Sequence, residues 1–432
     1  MSTQPAISNF SNPAIFSIYI VALFVMPLPF GSNRDWAWPF ITVVFCLLVL
    51  ILIAMPETRR LLIRSMSSRI SVLAFLLLTL WMTYQLFGIP YVASPISIDH
   101  FSTYKDLLKT VTYGCLFVAT IGFADSRTKV SIILYTIVLA GILQALIGIY
   151  SILLGYTLNA RGTFPSYNHF AGYLEMALSL GVGLMIAMQT STNNPGHARW
   201  IGFIDTITGP KGRLRLVLVI MVTGLVMSTS RMGNIAFLSS ILITAFLSIS
   251  ITRRVNKTTA IFLISILIID VAIIGNYFGF ERISRRIQHI AVDATARAEI
   301  NQYSWRIFGD HPWVGTGAGT YEYIFPQYRQ QEVAARVTNA ENDYFEFLVE
   351  LGIIGTLPLI MIVCLGISMQ IRLLRNRESQ FVRGIAFGCL MGTVSLLIHS
   401  AADFNLQIPS NAALFVLLLA LPQAMGERLN EF

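Results

Sequence analysis

A guanidinium and a phosphate fit together as two forks, so arginines in short polar breaks of an apolar chain suggest anion binding. Three such breaks stand out. The first, residues 160–175, reads Ala-Arg-Gly-Thr-Phe-Pro-Ser-Tyr-Asn-His-Phe-Ala-Gly-Tyr-Leu-Glu and sets Arg161 and His169 around a helix start expected near Asn168. Free N–H groups at such a start favour an anion, while capping by Asn168 would explain the same residues more simply. The second holds Arg231 between two apolar runs with almost no loop, at the depth of a membrane boundary. The third, residues 295–306, carries Arg297, Trp305 and Arg306 on a predicted helix and leads into the turn-rich 310–319, whose glycines would admit close backbone approach.

Carboxylates and imidazoles follow. Residues 339–355 contain Glu341, Asn342, Asp343 and Glu350. Acids in a first helical turn are ordinary dipole partners, but Glu350 lies about two turns deeper, where a carboxylate needs a partner. Arg231 and Arg297 are candidates. No Asp-x-Asp occurs, and Glu341-x-Asp343 is the nearest approach to a divalent-cation site. Downstream stand His399 and Asp403; a lone histidine at a helix end is most often structural.

The elements that must position these groups are membrane spans. The 432 residues are 55% hydrophobic and 12% charged, with a mean hydropathy of +0.67, whereas soluble domains are about a quarter charged. One span takes about 20 apolar residues. Such runs fall near 14–30, 36–55, 70–91, 107–124, 130–155, 168–188, 213–229, 232–251, 258–277, 342–369, 382–402 and 410–426. The expectation is an all-α polytopic protein of about twelve helices forming one domain over 1–432, with a large loop, 278–341, between spans nine and ten. No basic residue precedes the first run, so a cleavable leader is not expected. Cys46, Cys115, Cys364 and Cys389 lie far apart in apolar runs and read as packing residues.

Lysine and arginine are enriched in short cytoplasmic loops. One alternate set of loops carries 18 of the 30 basic residues, which assigns those loops and both termini to the cytoplasm. The other 12 lie outside, and ten of them are arginines. Seven belong to the long loop, where acidic residues would make a balanced, solvated surface. Arg161 and Arg231 sit against span ends, where water is scarce.

In order along the chain, residues 29–38 (Pro-Phe-Gly-Ser-Asn-Arg-Asp-Trp-Ala-Trp), the Arg161 to Leu174 stretch, Ser230 with Arg231, Arg297 with Trp305, Asp310 through Gly319, Glu341 through Gly355, and Asp403 through Pro409 are similar to the O-antigen ligase and polymerase family of bacterial envelope proteins. The resemblance implies about twelve helices and a large periplasmic loop folded over a lateral cleft that admits a lipid carrier. It also implies transfer of a glycan from undecaprenyl diphosphate, with Arg231 and Arg297 binding the diphosphate. The family's histidine before the tenth span serves acceptor activation; this chain carries Glu341 there.

The expected reaction is therefore attack of an acceptor sugar hydroxyl on the donor's anomeric carbon at the periplasmic face of a bacterial inner membrane. Glu341 is the expected base, with His399 or His169 as substitutes. Arg231, Arg297 and Arg161 hold the diphosphate, supported by Glu350, Asn342 and Asp403. No metal or cofactor is expected. The acceptor is lipid A core for a ligase or another lipid-linked repeat for a polymerase, with a lean to polymerase because the ligase-type histidine is missing. Basic loops are expected to face membrane lipids, and nucleic acid is not an expected partner. The alternative is a lipid-linked sugar flippase or other polysaccharide transporter, which would also place Glu175, Asp270 and Glu350 within spans, but neither internal repeats nor broken helices are evident. A scaffold role is a further reading. A nucleotide-sugar enzyme is disfavoured by short basic cytoplasmic loops without a phosphate-cradling glycine motif.

Overall fold

A chain in lipid must satisfy its backbone hydrogen bonds internally, which turns apolar runs into helices. The computed structural model describes residues 13–56, 66–89, 94–189, 209–253, 297–329, 337–376 and 378–429, with scattered positions from 260 to 268. Its longer helices are α1 (Pro13–Val25), α2 (Ala37–Ala54), α3 (Met66–Phe87), α4 (His100–Phe123), α5 (Arg127–Leu153), α6 (Tyr167–Ala187), α7 (Pro210–Met227), α8 (Arg231–Thr252), α9 (Tyr321–Tyr328), α10 (Asp343–Leu374), α11 (Gln380–His399) and α12 (Pro409–Glu427). Residues 297–310 are also helical. Among the described residues, nine helices are long and apolar enough to cross a membrane. Of the remaining apolar helices, α1 is short, and α7 carries Lys211, Arg213 and Arg215 near its start. The expected span 258–277 lies largely outside the described residues, as does the start of the expected loop.

The bundle has a buried centre and an apolar rim. Every residue of α6 from His169 to Ala187 is buried, and α12 is buried from Pro409 to Met425. On α2, α3 and α8 the large side chains Phe40, Leu50, Leu80 and Phe246 are instead exposed. Such outward apolar faces suit lipid and would be a liability in water. The most extensive helix contact is between α6 and α11, which meet backbone to backbone. A Cβ on Gly183 would stand 2.6 Å from the Gly384 carbonyl oxygen, and one on Gly388 2.7 Å from that of Ser179. Without a hydrophobic drive between helices in lipid, close approach through small residues supplies the packing energy.

Cys46 and Cys115, far apart in the chain, pack as free thiols with their sulfurs 3.8 Å apart across α2 and α4. Two sequence expectations need correction. The cap of α6 is Ser166, whose hydroxyl accepts from the Asn168 N–H at 3.2 Å; Asn168 is already inside the helix. Most consequentially, α10 is broken at Gly352 (φ 62°, ψ −175°), although no broken helix is evident in the sequence.

The break is filled by residues 311–320, which run alongside it as a strap. Thr316 N–H donates to Val349 O and Gly317 N–H to Glu350 O, both at 3.0 Å, while Ile353 N–H donates to Pro312 O at 2.9 Å. Gln85 on α3 adds bonds from its amide to Val314 O and Glu350 O, both 2.8 Å. Backbone groups released by the break are thus satisfied by protein, the condition for irregular backbone at membrane depth. Gly315 and Gly352 permit the contact: a Cβ on either would lie 2.3 or 2.4 Å from a carbonyl oxygen of the opposite segment.

Candidate active site

The segments expected to share one side of the membrane do gather at one end of the bundle. The Thr163 hydroxyl donates to Pro27 O at 2.9 Å, Ala160 N–H to Met227 O at 2.9 Å, Ile98 N–H to Thr316 O at 3.1 Å, and Asp343 N–H to Ser400 O at 3.0 Å. Charged groups collect there in three pairs.

The first pair is Arg297 with Glu341. Arg297 is the first described residue of the 297–310 helix, and its Nη2 lies 3.5 Å from Glu341 Oε2, with both side chains 35% exposed. Glu341 occupies the left-handed region at φ 53°, which a side chain disfavours by roughly 1–2 kcal/mol. Its neighbours enforce that conformation. Glu346 accepts from the Ala340 N–H at 2.8 Å and from the Asn339 amide at 2.7 Å. On the other side, Asn342 caps α10 by accepting from the Tyr344 N–H at 3.0 Å and donates its own amide to Ala401 O at 3.0 Å. Strain held by surrounding structure in this way is common at functional positions. Burial pushes the Glu341 carboxyl above its ordinary range, and the Asp403 charge adds to the rise; Arg297 and His169 offset only part of it.

The second pair is His169 with Asp403. His169 Nε2 in the first turn of α6 lies 3.5 Å from Asp403 Oδ1, and its ring meets Phe404 edge-on at 4.6 Å. Burial alone would raise the Asp403 carboxyl. Contact with His169, the positive side of His399 and the Phe404 N–H outweigh it and hold this group below the usual range.

The third pair is His399 with Glu175. Both are wholly buried, and His399 Nδ1 is 3.2 Å from Glu175 Oε1. The helices that carry them are α11 and α6, the most closely packed pair. The imidazole also faces the first turn of α8, since a Cβ on Gly233 would stand 3.3 Å from His399 Cε1. Arg231 is the exposed first residue of that helix, and Ser230 caps it by accepting from the Gly233 N–H at 3.2 Å.

The remaining candidates are spread more widely. Arg161 is exposed in the loop before α6, and its carbonyl accepts from the Phe164 N–H at 2.9 Å. Glu350 takes its described side-chain bond from the Tyr321 N–H at 3.0 Å, a backbone donor in place of the expected guanidinium. Glu341 and Asp343 turn to different partners, because Asp343 Oδ2 accepts from the Leu406 N–H at 3.1 Å. Among the described residues no group of three or more His, Cys, Asp or Glu side chains could hold a metal. Sequence reasoning missed Asp343 as the link between α10 and the 400–406 segment, and Glu175 as the partner of His399. For Glu175 a signal existed, an acid deep within a span.

Beside this site lies a cavity of about 340 Å³ between α3, α4, α10 and α12. Phe75, Met82, Leu359 and Phe415 give it apolar walls, Leu406 joins it to the charged cluster, and Glu350 stands with Asp106 and Lys109 in its polar part.

Helical throughout its described elements, with apolar outer faces and a charged cluster at one end, the chain is a polytopic all-α membrane protein. A family model described as O-antigen ligase matches residues 216–360, about a third of the chain, in agreement with the resemblance read from the sequence. The matched segment contains Arg231, Arg297 and Glu341, while His169, His399 and Asp403 lie outside it. The family is glycosyltransferase-like. No curated protein matches the chain significantly.

Proposed function

We propose that the protein transfers a glycan from an undecaprenyl-diphosphate carrier to an acceptor sugar hydroxyl, at the end of the bundle where its charged groups meet. That end then faces the periplasm, the termini face the cytoplasm, and the segment from 278 to 341 forms the large outer loop. The observation that carries the reading is the partly exposed Arg297–Glu341 pair inside the segment matched to the family model. Such a contact would set a cation suited to a diphosphate beside a carboxylate able to accept a proton.

Arg297 and Arg231 would take the diphosphate, with Arg161 as a third cation at its edge. The acceptor oxygen attacks the anomeric carbon and gives its proton to Glu341. As the new glycosidic bond forms, the bond from that carbon to the diphosphate breaks and its electron pair leaves with undecaprenyl diphosphate. Charge grows on the leaving group, so fixed guanidinium groups accelerate the step. The raised Glu341 carboxyl suits general-base work better than an ordinary carboxylate would, because proton affinity closer to working pH favours transfer. An apolar cavity adjoining the charged cluster supports a substrate that carries a prenyl chain.

The polymerase form of the reaction, with a second lipid-linked repeat as acceptor, is favoured by Glu341 in the place of the ligase-type histidine. Transport is less favoured: Glu175, an acid expected to mark a transport path, is held by His399 in the packed interior. Of the other two such acids, Glu350 accepts from the Tyr321 N–H at 3.0 Å, and Asp270 lies outside the described residues. Purified protein in liposomes, supplied with a lipid-linked oligosaccharide, tests the proposal. Elongation without translocation is the expected result, and translocation without transfer would reject the enzyme. In cells, deletion should leave single-repeat lipid-linked oligosaccharide; long polymer retained on the carrier would point to the ligase form.

A further inference from the structure

We infer that the Arg297–Glu341 contact is a latch opened by the donor: the diphosphate draws Arg297 off Glu341, and only then is the carboxylate free to act as a base. The inference rests on the transfer reading above.

Three features of the pair support it. Its separation of 3.5 Å involves one guanidinium nitrogen and one carboxylate oxygen, with both side chains open to about a third of their surface. Such a contact is weak and easily exchanged, whereas a diphosphate offers a guanidinium paired oxygens and more charge. The two partners also differ in freedom. Glu341 is fixed at φ 53° between the bonds from Ala340 and Asn339 to Glu346 and the Asn342 cap. An arginine side chain has four rotatable bonds and can swing without moving its backbone. Partner exchange can therefore move the Arg297 side chain while the Glu341 backbone stays in place.

The consequence for Glu341 follows from what surrounds it. Burial and Asp403 raise its proton affinity; Arg297 and His169 lower it. Removing Arg297 takes away one opposing charge, and the arriving diphosphate adds a like charge. Both changes raise proton affinity further. Binding of donor and protonation of Glu341 then reinforce each other, and by reciprocity the donor binds more tightly as pH falls through the window between the free and loaded carboxyl values. Above and below that window this contribution is flat. In the transfer step, the same rise strengthens Glu341 as an acceptor of the sugar hydroxyl proton only when a donor is present.

The test uses the full-length protein in detergent, with farnesyl diphosphate as the probe and affinity measured from pH 8 to pH 5. Glu341→Gln should bind the probe roughly 5-fold or more tightly than wild type at pH 8, the lower end of ordinary coupling. The advantage should shrink as pH falls. Comparing the two proteins cancels titration of the probe, which is common to both. In an Arg297→Ala background the gain from Glu341→Gln should fall severalfold, since no guanidinium remains to be released. Equal affinity of Glu341→Gln and wild type at pH 8, or an undiminished gain without Arg297, would overturn the latch. Failure of wild type to bind farnesyl diphosphate at any pH would reject the transfer reading itself.

Discussion

Two acid–base pairs stand at the same end of the bundle, and their surroundings give them opposite capacities. Glu175 and His399 are fully buried, 3.2 Å apart, on helices whose glycines let the backbones touch. Arg297 and Glu341 are 35% exposed, 3.5 Å apart, where a helical segment meets a strained loop. Breaking a buried pair strands a charge without water, at a cost of about 3–5 kcal/mol, whereas an exposed pair contributes about 0–1 kcal/mol. One pair is hard to exchange and fixes the scaffold. The other is easily exchanged and can respond to a ligand. Closeness of charge by itself therefore does not mark chemistry; access does.

The sharpest way to break this comparison is through the buried pair. Glu175→Ala or His399→Ala alone should lower stability by about 3–5 kcal/mol, read from thermal unfolding of the full chain in detergent. Replacing both at once, with Glu175→Met and His399→Leu, should recover most of the loss because no charge is left unpaired. If that double variant folds well and still transfers glycan, His399 is structural. If it folds and is inactive, His399 belongs with the catalytic groups and the contrast fails.

The exposed side is next. Arg231→Ala and Arg297→Ala should each lower transfer by about 100- to 1,000-fold, the range for removing one donor from a developing anion. Stability should change by less than about 1 kcal/mol. Arg329, at the end of α9, lies within the same run of outer-loop arginines expected from sequence. Its replacement by alanine should leave transfer within about 2-fold. Equal losses at Arg231 and Arg329 would mean that these arginines act through bulk charge and form no site. Glu341→Gln should reduce kcat by about 100-fold, at the low end of general-base effects, while tightening diphosphate binding. Full activity in Glu341→Gln combined with an inactive, folded His399 variant would move the base to His399.

These contrasts were only partly legible in the sequence. Periodicity and length locate eleven of the twelve expected apolar runs on described helices, since lipid leaves a chain little alternative. The clustering of alternate connecting segments at one end likewise follows from an even succession of spans. What escaped notice depends on partners distant in the chain. Gly352 in Leu-Gly-Ile-Ile-Gly reads as a small residue in a helix, and the break needs the strap from 311 to 320 to satisfy it. Glu175 and His399 are 224 residues apart, so no local pattern joins them. Glu350 illustrates the converse: its need for a partner was evident, yet the partner is the backbone N–H of Tyr321, where the strap passes into α9. Ser166 took the cap from Asn168 by a displacement of only two residues, the usual scale of error at helix ends.

The smallest expected effect concerns the pair between these extremes, His169 with Asp403, which is buried and joins the first turn of α6 to a loop. The folded Asp403 carboxyl lies below its ordinary value of about 3.8–3.9, so its contribution to stability is present above that value and is lost as pH falls through the lower, folded one. Wild type should therefore lose this increment only below about pH 4, the reference range of an unperturbed aspartate. Asp403→Asn should be less stable than wild type at pH 7, and the difference should narrow as the pH is lowered past that point. A difference that stayed constant from pH 7 to pH 3 would show that Asp403 contributes through its shape and its bond from the Phe404 N–H, not through its charge. The pair would then belong with the packed scaffold and not with the groups that a bound anion can reorganise.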